Sequence, residues 1–214
     1  MAAPFAESTM KKKDLIEKII SREWDFFQKV QNEGGRAGCQ DDAETFRIMR
    51  ESQFLTWDEE TLSGYLEDLK AAEKEGRNPL AEKYAYMMRS TAPAAYEKIR
   101  SLLPEISAEK ERAVSAIAEI HLGWREEFEQ RFPLLSGKGR PLRTEEDTPA
   151  AVSFETYLKG ELYTFSEKTL NQYKRLLCER KAEGRNLCME NMENTVRFYG
   201  FRSLKEAEEK QGGS

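Results

Sequence analysis

The sequence is poor in the residues that build most metal and nucleophile sites. It holds one histidine, His121, so a zinc centre that needs two imidazoles, such as HExxH, is excluded within one chain. It holds three cysteines, Cys39, Cys178 and Cys188, an odd number without a CxxC pair. That argues against a disulfide scaffold and against a thiolate zinc site, and a reducing compartment is expected. No uncharged apolar run approaches the ~20 residues needed to cross a bilayer, and Met1 to Met10 has no apolar signal segment before its first basic residues. A soluble cytoplasmic protein with no membrane partner is expected. Apolar and polar residues nowhere alternate over strand length between turn residues, so no sheet is expected. Gly137-Lys138-Gly139-Arg140 resembles a phosphate-binding turn but lacks the GxxxxGK[ST] spacing of a P-loop.

Charge and helical periodicity are what the chain has in abundance. Of 214 residues 34% are charged, above the roughly 25% of an average domain, while 39% are hydrophobic, enough for a core. Lys plus Arg number 34 against 39 Asp plus Glu, a net charge of −5, so a general nucleic-acid surface is not expected; Lys138 to Arg143 is the one local basic patch that would serve. Leu15, Ile16, Ile19, Ile20, Trp24, Phe27 and Val30 recur at helical steps and stop at Gly34 and Gly35. A second helix follows Asp41 and Asp42, and a third, built on Leu62, Tyr65, Leu66 and Leu69, closes at Gly76. Asn78-Pro79 reads as a cap and first helical residue, and Ser107 opens a long helix that halts before Pro133. Leu134 to Pro149 lacks periodicity and is expected as a long loop. Helices resume at Ser153 to Tyr163, Glu167 to Glu183, Leu187 to Tyr199 and Leu204 to Lys210. The class is all-α, one domain over 1–211, with 212–214 as a linker-like tail.

The chain also resembles itself. Thr56-Trp57-Asp58-Glu59-Glu60-Thr61-Leu62 aligns with Thr164-Phe165-Ser166-Glu167-Lys168-Thr169-Leu170 at an offset of 108, which also pairs Tyr65 with Tyr173 and Glu75-Gly76-Arg77-Asn78 with Glu183-Gly184-Arg185-Asn186. Upstream, Trp24 pairs with Trp124 at 100 and Gly35-Arg36 with Gly139-Arg140 at 104. The expectation is a bundle of two tandem repeats, about 12–104 and about 107–211, each of about four helices and related by pseudo-twofold symmetry. Thr56 with Glu59 and Thr164 with Glu167 read as capping boxes, and Gly76 and Gly184 as left-handed helix ends. Of the remaining identities, ion pairs between repeats are the plain explanation.

Gln31 to Asp42 with its Cys39-Gln40-Asp41-Asp42 run, Ser52-Gln53-Phe54, Gly139-Arg140-Pro141, Glu146-Asp147-Thr148 and Ser153 to Leu158 resemble the bacterial family called domain of unknown function 4125, over roughly Lys12 to Ala207. The resemblance implies a bacterial, largely helical protein, brings no activity with it, and hints at a nucleotidyltransferase-like partner domain.

Two places suit chemistry. At the Asn32 to Asp42 bend, glycines admit close backbone approach, Arg36 offers a fork for carboxylate or phosphate, and Asp41 and Asp42 supply a base, a cation ligand or simply a helix cap. Cys39 near Arg36 and a helix start would be an activated thiolate, although the aspartates oppose ionisation and no histidine base lies near in sequence. The Leu134 to Pro149 segment brings Arg140 and Asp147. If the repeats pack about a twofold, Arg36 and Arg140 line one cleft and grip an anion. Asp41, Asp42, Cys39 and Glu155 are then the candidate catalytic groups; Trp24, Asn32, Arg36, Gln40, Arg140, Asp147 and Tyr157 are the binding candidates. Glu155, Glu161, Glu190, Asn191 and Asn194 lie on helix faces that are more simply solvated, and no metal site or cofactor is assigned. The expected function is binding, with or without transformation, of a small anionic or zwitterionic metabolite between the repeats. The alternative is a regulatory or scaffolding module for a nucleotidyltransferase-like protein.

Overall fold

The computed structural model describes residues 4–31, 35–137, 139–148 and 151–212, with residues 4–10 as backbone alone. Eleven α-helices and no strand occur among them: α1 Pro4–Gln28, α2 Ala43–Phe54, α3 Glu59–Lys74, α4 Pro79–Thr91, α5 Pro93–Ile99, α6 Ala108–Arg131, α7 Pro133–Ser136, α8 Phe154–Tyr163, α9 Glu167–Ala182, α10 Leu187–Phe198 and α11 Leu204–Gly212. None is long and apolar enough to cross a membrane.

Most boundaries follow from side chains that satisfy free amides at helix starts. Asp42, Asp58, Asn78, Ser107, Ser153, Ser166 and Asn186 cap α2, α3, α4, α6, α8, α9 and α10. Gly76 and Gly184, at φ +69° and +71°, take the left-handed conformation that lets Arg77 N and Arg185 N reach back to Ala72 O and Arg180 O. The expected capping boxes at Thr56 and Thr164 are not formed. Both helices start later, at Glu59 and Glu167, so each threonine sits in the preceding turn and its hydroxyl donates backwards, to Gln53 O and Glu161 O, at 2.7 Å in both cases.

Three further expectations change. The Leu134 to Pro149 segment is partly ordered: it contains α7 and a 3₁₀ turn at Thr144–Glu146, tied to α8 by Phe154 N and Glu155 N donating to Pro141 O and Leu142 O. Lys138 and Pro149 lie outside the described residues. Cys178, whose place within a helical pattern would suit a packing residue, is exposed, because it falls on the face of α9 away from buried Tyr173, Leu176 and Leu177. At the end of the chain α11 runs on to Gly212, two residues past its expected stop.

Helices pack in corresponding sets. α1 lies against α2, α3 and α4, and α6 against α8, α9 and α10. Across the middle, α3 meets α9, α4 meets α8, and α10 meets α2. The main core therefore draws on both halves: Trp57 and Tyr173 rings lie 4.6 Å apart and Tyr65 and Phe165 rings 4.7 Å apart, each such aromatic pair adding about 0.5–1.5 kcal/mol beyond its buried area. A smaller cluster of Phe128, Val196, Leu204 and Ala207 seats α11. The approach of α4 to α8 depends on Gly160, where a Cβ would stand 2.8 Å from Met87 Cγ and 2.9 Å from the Lys83 carbonyl oxygen. That closeness brings Lys83 beside Glu161.

Candidate functional site

A cavity of about 570 Å³ opens where α1, α2 and α4 face α8 and α10. Its inner part is a buried charge cluster. Glu23 sits among Ile19, Ile20, Phe26 and Phe27 on the apolar stripe of α1. Arg50 on α2 bridges to it, Nη2 and Nε reaching the two Glu23 oxygens at 2.5 and 2.7 Å, and its guanidinium also faces Glu161 Oε1 at 3.2 Å. Lys83 on α4 donates to Glu161 Oε2 at 2.7 Å, Tyr65 OH to Glu23 Oε1 at 2.7 Å, and Gln53 Nε2 to Glu161 Oε1 at 3.4 Å. Two carboxylates and two cations thus balance inside the protein, and the hydrogen bonds offset their loss of water.

The same geometry fixes protonation. Burial works to raise the Glu161 pKa, but Arg50 and Lys83 hold its carboxyl well below the usual range. Burial works to lower that of Lys83, and Glu161 overrides it, keeping the ammonium charged. Arg50 is likewise held charged by Glu161 and Glu23 against its burial. Burial, with Glu23 beside it, keeps the Tyr65 phenol neutral. Lys83 is consequently a fixed cation rather than a nucleophilic amine. Its Nζ lies 3.5 Å from the centre of the Tyr157 ring, and Arg140 Cζ lies 4.7 Å from that centre. The charge of Lys83 draws the Tyr157 pKa down. Tyr84, on the same wall, is pushed up by burial and by Tyr157.

The outer part is contributed by both bends. Cys39 and Asp42 come from the first, Arg140 and Val152 from the second, and Phe27, Phe46, Met49, Leu80 and Met87 supply apolar wall. Asp42 Oδ1 accepts from Thr45 N at 2.9 Å, which lowers its pKa and keeps it ionised. Arg140 Nη1 donates to Val152 O at 3.3 Å. No group of three or more potential metal ligands occurs among the described residues.

Of the candidate residues, Cys39, Asp42, Arg140 and Tyr157 line the cavity. The others that the structure describes have different tasks. Arg36 is turned away: its guanidinium binds Asp41 at 2.8 Å, Gln28 Oε1 at 2.5 Å and Gln40 O at 2.8 Å, which staples the bend to α1, so the pair of facing arginines is not formed. Asp41 is the exposed counter-ion of that staple. Gln40 is buried and donates to Phe27 O and Val30 O, the open carbonyls at the end of α1. Trp24 packs edge-on against Phe46, with ring centres 5.1 Å apart. Asp147 accepts from Ser90 Oγ, Thr156 Oγ1 and Ser153 N, and these bonds hold it ionised against its burial. Glu155 binds Lys159 at 2.6 Å and Thr144 N at 3.1 Å. Asn32 lies outside the described residues. Sequence reasoning passed over Glu23, Arg50, Gln53, Lys83 and Tyr84, and gave Glu161 and Asn191 a solvated face. A signal was present: Glu23 interrupts the stripe Ile16, Ile19, Ile20, Phe26, Phe27, and Lys83 stands four residues from both Pro79 and Met87.

No curated protein and no solved structure matches this chain. The family model described as "Protein of unknown function (DUF4125)" matches residues 13–209, nearly the whole chain, and the protein therefore belongs to that family.

Proposed function

We propose that the cavity is a small-molecule site shared by two halves descended from one duplicated unit, and that it takes a small anionic or zwitterionic metabolite. The observation that carries this reading is which positions line it. Gln53 and Glu161 stand 108 residues apart and touch, and Met49 with Tyr157 and Lys83 with Asn191 are spaced alike. Equivalent positions therefore meet around one hollow, as they must near a twofold axis. In every pair the chemistry has diverged: amide against carboxylate, thioether against phenol, ammonium against amide. Some core pairs at the same spacing stay alike, with Trp57 beside Phe165 and Leu62 equivalent to Leu170. Unlike polar groups paired around one hollow, over a charge cluster costly to bury, are what a ligand site shared by two such halves would carry.

The test is mass spectrometry of the natively purified protein for a retained small molecule, together with thermal shifts against a metabolite library. A ligand at a hundred times its Kd adds about 2.7 kcal/mol, roughly 5–10 °C for a chain of this size. The shift should vanish in Met49→Trp, which blocks the outer cavity from an exposed position, while the unliganded unfolding temperature stays within a degree or two. No retained molecule together with no shift from the library overturns the reading.

A further inference from the structure

The charged groups of the cavity are of two kinds. The inner four, Glu23, Arg50, Lys83 and Glu161, are complete among themselves. The outer two are not. Asp42 and Arg140, one of each sign, line the cavity, and neither forms an ion pair with any described residue. Elsewhere the chain pairs its arginines freely, Arg143 with Glu126 at 2.8 Å and Arg175 with Asp58 at 2.6 Å. Arg140 commits one N–H to Val152 O and lays its plane near Tyr157, leaving most of its five donors. Asp42 commits one oxygen to the helix cap. A third loose end lies on α10, where the Asn191 side-chain oxygen is buried without a hydrogen-bond partner among the described residues, an arrangement that costs about 1–3 kcal/mol unless a donor arrives.

Resting on the small-molecule reading above, we propose that the occupant is a zwitterion of dipeptide size with an apolar body, its anion held by Arg140, its cation by Asp42 and an internal N–H by Asn191. Both residues are exposed and keep their water when the cavity is empty; a simple anion would face the Asp42 charge and a simple cation that of Arg140, whereas a molecule with both poles pairs with each. The volume lies within the range that holds drug-sized ligands, above what a single amino acid fills. Phe27, Phe46, Met49 and Leu80 offer apolar wall for its side chains.

Four probes of nearly equal shape separate the charges: leucyl-leucine, its N-acetyl derivative, its C-terminal amide and the N-acetyl amide, titrated calorimetrically at pH 7. Leucyl-leucine should bind about tenfold or more tighter than either singly charged probe, as one charge-assisted contact warrants. In Arg140→Gln the advantage over the amide should disappear, and in Asp42→Asn, which keeps a good helix cap, the advantage over the N-acetyl form. A singly charged probe that binds as tightly as leucyl-leucine, or binding by none of the four, overturns this inference. The small-molecule reading fails separately, on its own library and mass-spectrometric result.

Discussion

Replacing Glu161 by Gln keeps the shape of the side chain and removes one charge from the cluster of two carboxylates and two cations. Lys83 then loses its only ion pair among the described residues, while Arg50 retains Glu23. Removing one partner of a buried pair typically costs about 3–5 kcal/mol, because the charge left behind has neither water nor counter-ion. The same reasoning fixes the rescue. Lys83→Met together with Glu161→Gln removes one charge of each sign and leaves Glu23 and Arg50 balanced, so the double variant should be less destabilised than the sum of the singles by about 2 kcal/mol or more. Urea unfolding at pH 7, read by tryptophan fluorescence, measures all four proteins. The acid limb adds a second reading. The folded-state pKa of Glu161 lies below its unfolded value near 4.5, so its contribution is full above that pH and is lost as pH falls below it. Glu161→Gln should flatten this part of the acid limb. Strictly additive single and double variants, with an unchanged acid limb, would refute the idea that the cluster acts as one electrostatic unit.

Two further outcomes follow from geometry. Gly160→Ala places a methyl against Met87 and the Lys83 carbonyl, forcing α4 and α8 apart; a loss of about 1–3 kcal/mol is expected by thermal or urea unfolding, and no loss would mean that the helices yield freely. His121, hydrogen-bonded to Tyr173 OH at 2.8 Å, is pushed by burial down to about 4, so the unfolded chain binds a proton there more readily. Stability should therefore fall as pH drops from about 6.5 to about 4, and His121→Gln should remove that slope in urea titrations across the window.

The helices were legible because their ends are written locally. Asn78-Pro79, Ser107 and Ser153 each carry their own cap, and the apolar stripes of α1, α3 and α9 need no partner to be recognised. The cavity was half legible. Both bends reach it, but Arg36 is spent on Gln28, Gln40 and Asp41, and a competition among neighbours for one guanidinium is decided by three-dimensional reach. Glu23 and Lys83 sat in view on apolar stripes. Their meaning depended on Arg50 and Glu161, brought in from helices 27 and 78 residues away, and sequence spacing carries no record of that encounter.

The exchange of contacts across the middle has a mechanical consequence. Because α4 of the first half rests on α8 of the second while α10 of the second rests on α2 of the first, the halves are clasped like folded hands. Neither can let go without stripping the other of cover, so loosening at one end is felt at the far end.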